Sequence, residues 1–446
     1  MLNDDQPSKW RSKFALSVIW ALLGRGIVVA AGFLVTVLLA RLLPPTQIGI
    51  YYLAQSAVLM AVPLASLGLQ QPAIAAIAAA KAAGDQQRAA AFARSSLRLA
   101  LLASVAISGV GVLGWVSADR LGIVGYFTQQ SVVLLIAAWI IVLAVEAQLV
   151  GVLQGLEKIG TAVAYDSALG KVLSLVALFA LWLGPGATDV VSVLVVFVGC
   201  EFVSLIAAMA NTWRAIVALG PPGPPIPLSE LCTKTWPFLL QQLIGSVVLQ
   251  SSVLILGLFR SPAEVAIYGM ASRLAGLLGI PGTIINVPLA PSVARLHAQN
   301  RRQEIQSLMQ SSTIVPTMIA VAITLGFAFY GDIILGRMFG SAYSGGRYIL
   351  LILSAGQCVN LFLGPSLLGL AMTGHQRIVT WIGLVVGAVQ VVVLFFAARP
   401  FGAIGTAFCT AIEPCLIKAL GWVAVYRLLN IQTHFPLRAV LRILRK

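Results

Sequence analysis

Apolar runs of about 20 residues, separated by short polar clusters, recur from one end of the chain to the other. That length is what an α-helix needs to cross a hydrocarbon core of about 30 Å. Hydropathy predicts twelve transmembrane helices, near 14–39, 47–77, 95–117, 131–153, 162–183, 190–210, 236–258, 265–293, 312–330, 347–371, 378–397 and 402–426. The first run follows Lys9, Arg11 and Lys13 and reaches Leu39, too far for the apolar part of a signal peptide. It is read as a retained helix. Connections are short, so no soluble catalytic domain is inserted between spans. The longest break, 211–235, holds Pro-Pro-Gly-Pro-Pro at 221–225, the composition of a semi-rigid extended linker. The expected organisation is a six-helix lobe over 1–215, a cytoplasmic linker over 216–235, and a six-helix lobe over 236–446 ending in a basic tail.

The two halves repeat. Pro45-Thr-Gln-Ile-Gly-Ile-Tyr51 matches Pro262-Ala-Glu-Val-Ala-Ile-Tyr268 at an offset of 217, and Arg94-Ser-Ser96 matches Gln310-Ser-Ser312 at 216. Each half has an even number of spans, so both face the same way. Such a parallel repeat predicts an all-α polytopic membrane protein of two pseudo-symmetric six-helix bundles around a central cavity, with a transport site near the midplane.

Composition agrees with this class. Charged residues make up 10% of the chain and hydrophobic ones 59%, against roughly 25% charged in soluble domains. The net charge of +15 does not indicate nucleic acid, because the basic residues flank spans and form no soluble basic domain. They read as topology signals. With both termini inside, 19 Lys and Arg lie on the cytoplasmic side and six on the other (Arg41, Arg120, Arg260, Arg337, Arg347, Arg399). The five cysteines (Cys200, Cys232, Cys358, Cys409, Cys415) have no metal-ligand spacing and suit small core positions. No metal and no cofactor is expected. Nor is an enzyme: the three histidines (His297, His375, His434) all fall on the cytoplasmic side, and the longest outer connection, 331–346, is short.

Eight ionisable residues fall inside spans: Arg25, Lys171, Arg273 and Lys418, against Glu146, Asp166, Glu201 and Glu413. At about 2.5–3.5 kcal/mol each, eight facing lipid would cost roughly 20–28 kcal/mol, beyond the stability of an ordinary fold. They must face one another or a wet cavity. Asp166 and Lys171 are five residues apart, as are Glu413 and Lys418. Five residues is about 140° around a helix, so neither pair closes well within its own span. Partners elsewhere, water or substrate remain open alternatives. Arg25, between Gly24 and Gly26, presents a fork of donors suited to phosphate oxygens where other groups can approach closely. Arg273 in the eighth span is similar, and a helix-packing role is the alternative for both. Gln242, Ser246 and Gln250 recur four apart, a polar stripe for an aqueous lumen or for interhelical hydrogen bonds. Glu201 and Glu413, each in the last span of its half, could carry a proton or Na⁺, or pair with Lys171 or Lys418.

Leu39-Ala-Arg-Leu-Leu-Pro-Pro-Thr-Gln-Ile-Gly-Ile-Tyr51, followed by Leu64-Ala-Ser-Leu-Gly-Leu69, resembles the opening of Wzx-type polysaccharide biosynthesis flippases. These belong to the multidrug/oligosaccharidyl-lipid/polysaccharide exporter superfamily. Ser261–Tyr268 with Ala271-Ser-Arg-Leu-Ala275, Met338-Phe-Gly-Ser-Ala-Tyr343 and Phe401-Gly-Ala-Ile-Gly-Thr-Ala407 resemble later parts of the family. The resemblance implies alternating access by two lobes. It also implies a cargo of polyprenyl-pyrophosphate-linked oligosaccharide, moved across a bacterial inner membrane for exopolysaccharide or lipopolysaccharide synthesis. The polymerase and export machinery would be partners. It implies cavity roles for Arg25 and Arg273. Drug and cation exporters of the superfamily often carry a carboxylate in the first span, where this chain has only Arg25. A drug or metabolite antiporter is the alternative reading.

Overall fold

The computed structural model describes residues 26, 28–120, 129–184, 188–221 and 223–436, with side chains for all of these except 167 and 228–234. Every regular element among them is helical. In chain order they are α1 (Val28–Leu42), α2 (Pro45–Ala65), α3 (Gln70–Ala82), α4 (Gln86–Arg120), α5 (Gln130–Gly155), α6 (Ile159–Val163), a π-turn (Ala164–Ala168), α7 (Leu169–Leu183), α8 (Val190–Val217) and α9 (Leu228–Phe259). Then follow α10 (Pro262–Gly276), a 3-10 turn (Leu277–Gly279), α11 (Ile280–Ala298), α12 (Arg302–Phe339), a 3-10 segment (Ser341–Gly346), α13 (Arg347–Phe362), α14 (Ser366–Met372) and α15 (Gln376–Leu429).

Nine of the described helical stretches are long and apolar enough to cross a membrane, or ten if the bent pair Ser341–Phe362 and Ser366–Met372 counts as one span. The chain is a multi-pass membrane protein. At 54 residues α15 would run about 80 Å, more than twice a hydrocarbon core. It is two passes joined at Gly402, whose φ of 55° and ψ of −139° lie outside the helical region. A side chain at 402 would overlap the Glu264 carboxylate, which accepts a hydrogen bond from Ala403 N at 2.7 Å. Arg260 holds the same corner, donating through Nη2 to the carbonyls of Arg399 and Pro400.

The predicted breaks and lengths shift locally. The span expected over 47–77 divides into α2 and α3 at Ser66–Leu69, where Leu67 and Gly68 both have positive φ. The span expected over 347–371 divides at Leu363–Pro365. The span expected over 312–330 is the middle of α12, which runs on at both ends into Arg302 and Phe339.

The chain forms two compact units, Met1–Gln250 and Ser251–Lys446. In the first, α5 is central and packs against α2, α3, α4 and α8. In the second, α13 packs against α10, α12 and α15. The sequence repeat marks equivalent structure in both. Pro45 and Pro262 each open a helix at its first position, where a missing N–H costs nothing. Six residues on, Tyr51 and Tyr268 are each buried, at 2% and 1% exposure. The Tyr51 ring packs at tilted angles among Trp139, Phe197 and Tyr52, whereas the Tyr268 hydroxyl meets Thr410 Oγ1 at 2.9 Å. Leu102, Val110 and Leu113 on α4 and Phe396 on α15 are exposed on the faces left for lipid.

Candidate functional site

The first unit gathers four of the eight embedded charges. Glu146 on α5 and Glu201 on α8 are buried at 3% and 5% exposure, and their carboxyls interact directly. Ser204, one turn beyond Glu201, donates from Oγ to Glu146 Oε1 at 2.6 Å. Lys171 on α7 acts electrostatically on Glu201, and Asp166 adds a further negative charge within reach of Glu146. The second oxygen of Glu201, Oε2, is buried without a hydrogen-bond partner.

Two backbone features build this cluster. Asp166 lies in the π-turn Ala164–Ala168, whose extra residue changes the rotation between it and Lys171. The 140° estimated for a regular helix therefore does not apply to that pair. Gly170 supplies the second feature: a Cβ there would overlap the Glu201 carboxylate, so only glycine lets that group lie against α7. Three carboxyls and one ammonium leave an excess of negative charge wherever all are ionised. Only Glu146 and Glu201 are buried, Asp166 being exposed, so it is the ionisation of these two neighbouring glutamates together that burial makes costly. Among the described residues no group of three or more His, Cys, Asp or Glu is arranged to hold a metal ion.

The second unit holds Lys418, Glu413 and Arg273. Lys418 lines a cavity of about 150 Å³ together with Asn286, Ser312, Thr313 and Asn360. Its ammonium has no ion-pair or hydrogen-bond partner among the described residues, and Glu413, half-buried one turn and a half earlier, does not pair with it. Arg273 is on α10 with its side chain exposed. Gln242, Ser246 and Gln250 are all half-buried on α9, Ser246 donating to the Leu243 carbonyl at 2.9 Å. Arg25 lies outside the described residues.

Sequence reasoning identified the embedded charges but not Ser204, Gly170, Asn286 or Ser312, which complete their surroundings. Ser204 carried a usable signal, being three residues from Glu201 on the same helix face. Gly170 carried none, since a glycine that admits another helix's side chain looks like any other.

The family described as polysaccharide biosynthesis protein matches residues 14–290. The probable low-salt glycan biosynthesis flippase Agl15 of Haloferax volcanii is 27% identical over 164 residues, 36% of this chain and 34% of that protein. The match thus spans about a third of that relative's length. Among solved structures, the lipid II flippase MurJ in an inward closed conformation superposes with a TM-score of 0.70 at 11% identity, covering 95% of this chain and 90% of that one. An inward-facing multidrug resistance MATE family transporter of the MOP superfamily gives 0.65 at 16% identity, covering 90% and 94%. A MOP superfamily transporter from Pyrococcus furiosus gives 0.56 at 15%, covering 93% and 94%. At such identities these likenesses establish the fold alone.

Proposed function

Because this chain belongs to the polysaccharide biosynthesis protein family, matched over residues 14–290, we propose that it is a flippase. Its cargo is a polyprenyl-pyrophosphate-linked oligosaccharide, carried across the cytoplasmic membrane of a bacterium to supply exopolysaccharide or lipopolysaccharide synthesis. The family membership carries this reading, since the fold alone is shared by drug transporters and lipid flippases. The name of the Haloferax protein, a glycan flippase, supports the same cargo class.

Chemistry assigns the parts. Arg25 and Arg273 bind the pyrophosphate, because a guanidinium presents paired donors to phosphate oxygens. Gln242, Ser246 and Gln250 exchange hydrogen bonds with sugar hydroxyls. The prenyl chain stays in lipid, where it loses no apolar burial. The cluster of Glu146, Glu201, Asp166 and Lys171 takes up one proton or Na⁺ per cycle, an embedded carboxylate group being suited to reversible charging. Glu413 is a second carboxylate available for that role.

The test is export of a lipid-linked oligosaccharide in cells lacking their own flippase of this type, at matched protein levels. The parent restores surface polysaccharide, and Arg25→Ala and Arg273→Ala lose it. Undiminished export by both variants would remove the pyrophosphate assignment. A parent that instead conferred resistance to cationic drugs would make this an antiporter.

A further inference from the structure

We propose that the start of α4 and the end of α8, in the first unit, form a docking surface for one anionic phospholipid of the surrounding bilayer. Its phosphate lies among Arg94, Arg98 and Arg214, and its acyl chains run along the apolar helix faces beyond them. The surface is independent of what the protein carries.

Helix length sets the depth. At 35 residues α4 is about 52 Å long, well beyond a hydrocarbon core of about 30 Å, and its apolar stretch begins near residue 95. Its first turns therefore reach the headgroups. The end of α8 lies at the same level, because Phe92 and Ala93 of α4 share one buried cluster with Ala215 and Ile216 of α8. Arg94 and Arg98 are four residues apart, on one face of α4, and Arg214 is in the last turn of α8. Three guanidinium groups thus stand where hydrocarbon gives way to headgroups.

The protein does not balance their charge. None of the three has an ion-pair partner among the described residues. Acids at neighbouring helix ends are engaged elsewhere: Glu157 pairs with Lys81 at 2.6 Å, Asp85 accepts a hydrogen bond from Arg88 N, and Asp166 adds its charge to the Glu146 group. Arg94 is also held in place. Its guanidinium carbon sits 5.5 Å from the centre of the Trp213 ring, a cation–π contact, and its Nε is buried without a hydrogen-bond partner. A guanidinium fixed in this way offers its remaining donors as a fork suited to two phosphate oxygens.

The apolar neighbours identify the rest of the ligand. Leu101, Leu102 and Val105 continue the Arg98 face of α4, Ile206 and Met209 continue the Trp213 face of α8, and all five are exposed. An anionic head joined to hydrocarbon chains covers both parts. A nucleic acid or an acidic protein would match the arginines and leave the apolar faces bare. A phosphatidylcholine brings its own cation, so three guanidinium groups favour a lipid of net negative charge.

The experiment places the full-length protein in nanodiscs of equal parts phosphatidylglycerol and phosphatidylcholine. Native mass spectrometry then counts the lipids that stay bound when the disc is removed. The parent retains phosphatidylglycerol over phosphatidylcholine by about threefold or more. The triple variant Arg94→Gln, Arg98→Gln, Arg214→Gln loses that preference. A second triple variant, Arg295→Gln, Arg302→Gln, Arg377→Gln, removes three exposed arginines expected on the same side of the membrane and keeps it. Melting curves and size-exclusion profiles confirm folding, and Arg98→Gln alone, at an exposed position, reports the loss if the first triple variant does not fold. Equal retention of both lipids by the parent overturns the proposal, as does a preference unchanged in the Arg94, Arg98 and Arg214 variants. Equal loss in the second triple variant overturns it too, since the preference then follows total charge. Excess sodium phosphate in the nanodisc incubation leaves the lipid bound; displacement by it would make the arginines a site for soluble anions and end the lipid assignment.

Discussion

Gly170 has no Cβ, and the space a Cβ would take is occupied by the Glu201 carboxylate. Gly170→Ala therefore pushes a buried acidic group off its seat while adding one methyl to a packed helix contact. The expected cost is about 1–3 kcal/mol of stability, with loss of transport. Glu201→Ala in the same background recovers part of the stability but none of the transport, a non-additive pair readable by unfolding in detergent. At the loop end of α8, Asp189 accepts hydrogen bonds from Ser192 N and Oγ, and these hold its carboxyl below the usual carboxylate range. Asp189→Ala should cost about 1 kcal/mol of helix capping. Since the folded-state value is lowered, that contribution is complete above about pH 4 and fades as the pH falls through it. The stability difference between parent and variant should therefore be full at pH 7 and shrink progressively as the pH is taken below 4, which unfolding across that range measures. At this scale the sequence told which residues had to be explained but not what they touch. Glu146 and Glu201 were legible as embedded charges because a charge in an apolar run is conspicuous. Their meeting was not, because hydropathy fixes a residue's depth and leaves helix rotation and packing undetermined.

Helices show the same division between what a pattern encodes and what packing decides. The match of Pro45–Tyr51 to Pro262–Tyr268 foretold two equivalent helix starts, and both occur, each with a buried tyrosine six residues in. The tyrosines differ in what their hydroxyls do. Tyr268 meets Thr410, which also meets Ser252 at 2.9 Å, so Tyr268→Phe leaves buried hydroxyls one partner short and costs about 1 kcal/mol or more. Thermal unfolding of that variant checks it. Breaks within spans were harder to foresee. Pro365 stands at the division between α13 and α14, whereas the break after Ala65 depends on Leu67 taking a positive φ that leucine seldom adopts. No propensity argument predicts it. The turn within α15 combines both kinds of information: Pro400 and Gly402 mark the place, and Arg260, just after α9, and Glu264, in the first turn of α10, fix its shape. Gly402→Ala meets an unfavourable φ and the Glu264 carboxylate together, so it should destabilise by more than the ~1 kcal/mol of an ordinary glycine replacement.

For the molecule in its bilayer, the first quantity to settle is direction, since a flippase delivers cargo to one side only. The exposed leucines, valines and phenylalanines of α4 and α15 tell where lipid lies but treat both leaflets alike. Charge breaks that symmetry. Nineteen Lys and Arg against six, counted outside the expected spans, place both termini in the cytoplasm if cytoplasmic loops retain positive residues. The surplus is spread over several connections, among them 81–98, 295–302 and 427–446, so no single residue decides it. Orientation should then survive removal of any one cluster. Alkaline phosphatase, active only outside the cytoplasm, gives the measurement. Fused after Arg302 or at the C-terminus it should be silent, and fused after Arg260 it should be active. The same result is expected when Arg301 and Arg302 are replaced by Asn. The opposite pattern in the parent would invert the protein, and the cytoplasmic assignment of the 211–235 connection and the basic tail would fall with it. Inversion caused by the double replacement alone would mean that the 295–302 cluster dominates the topology.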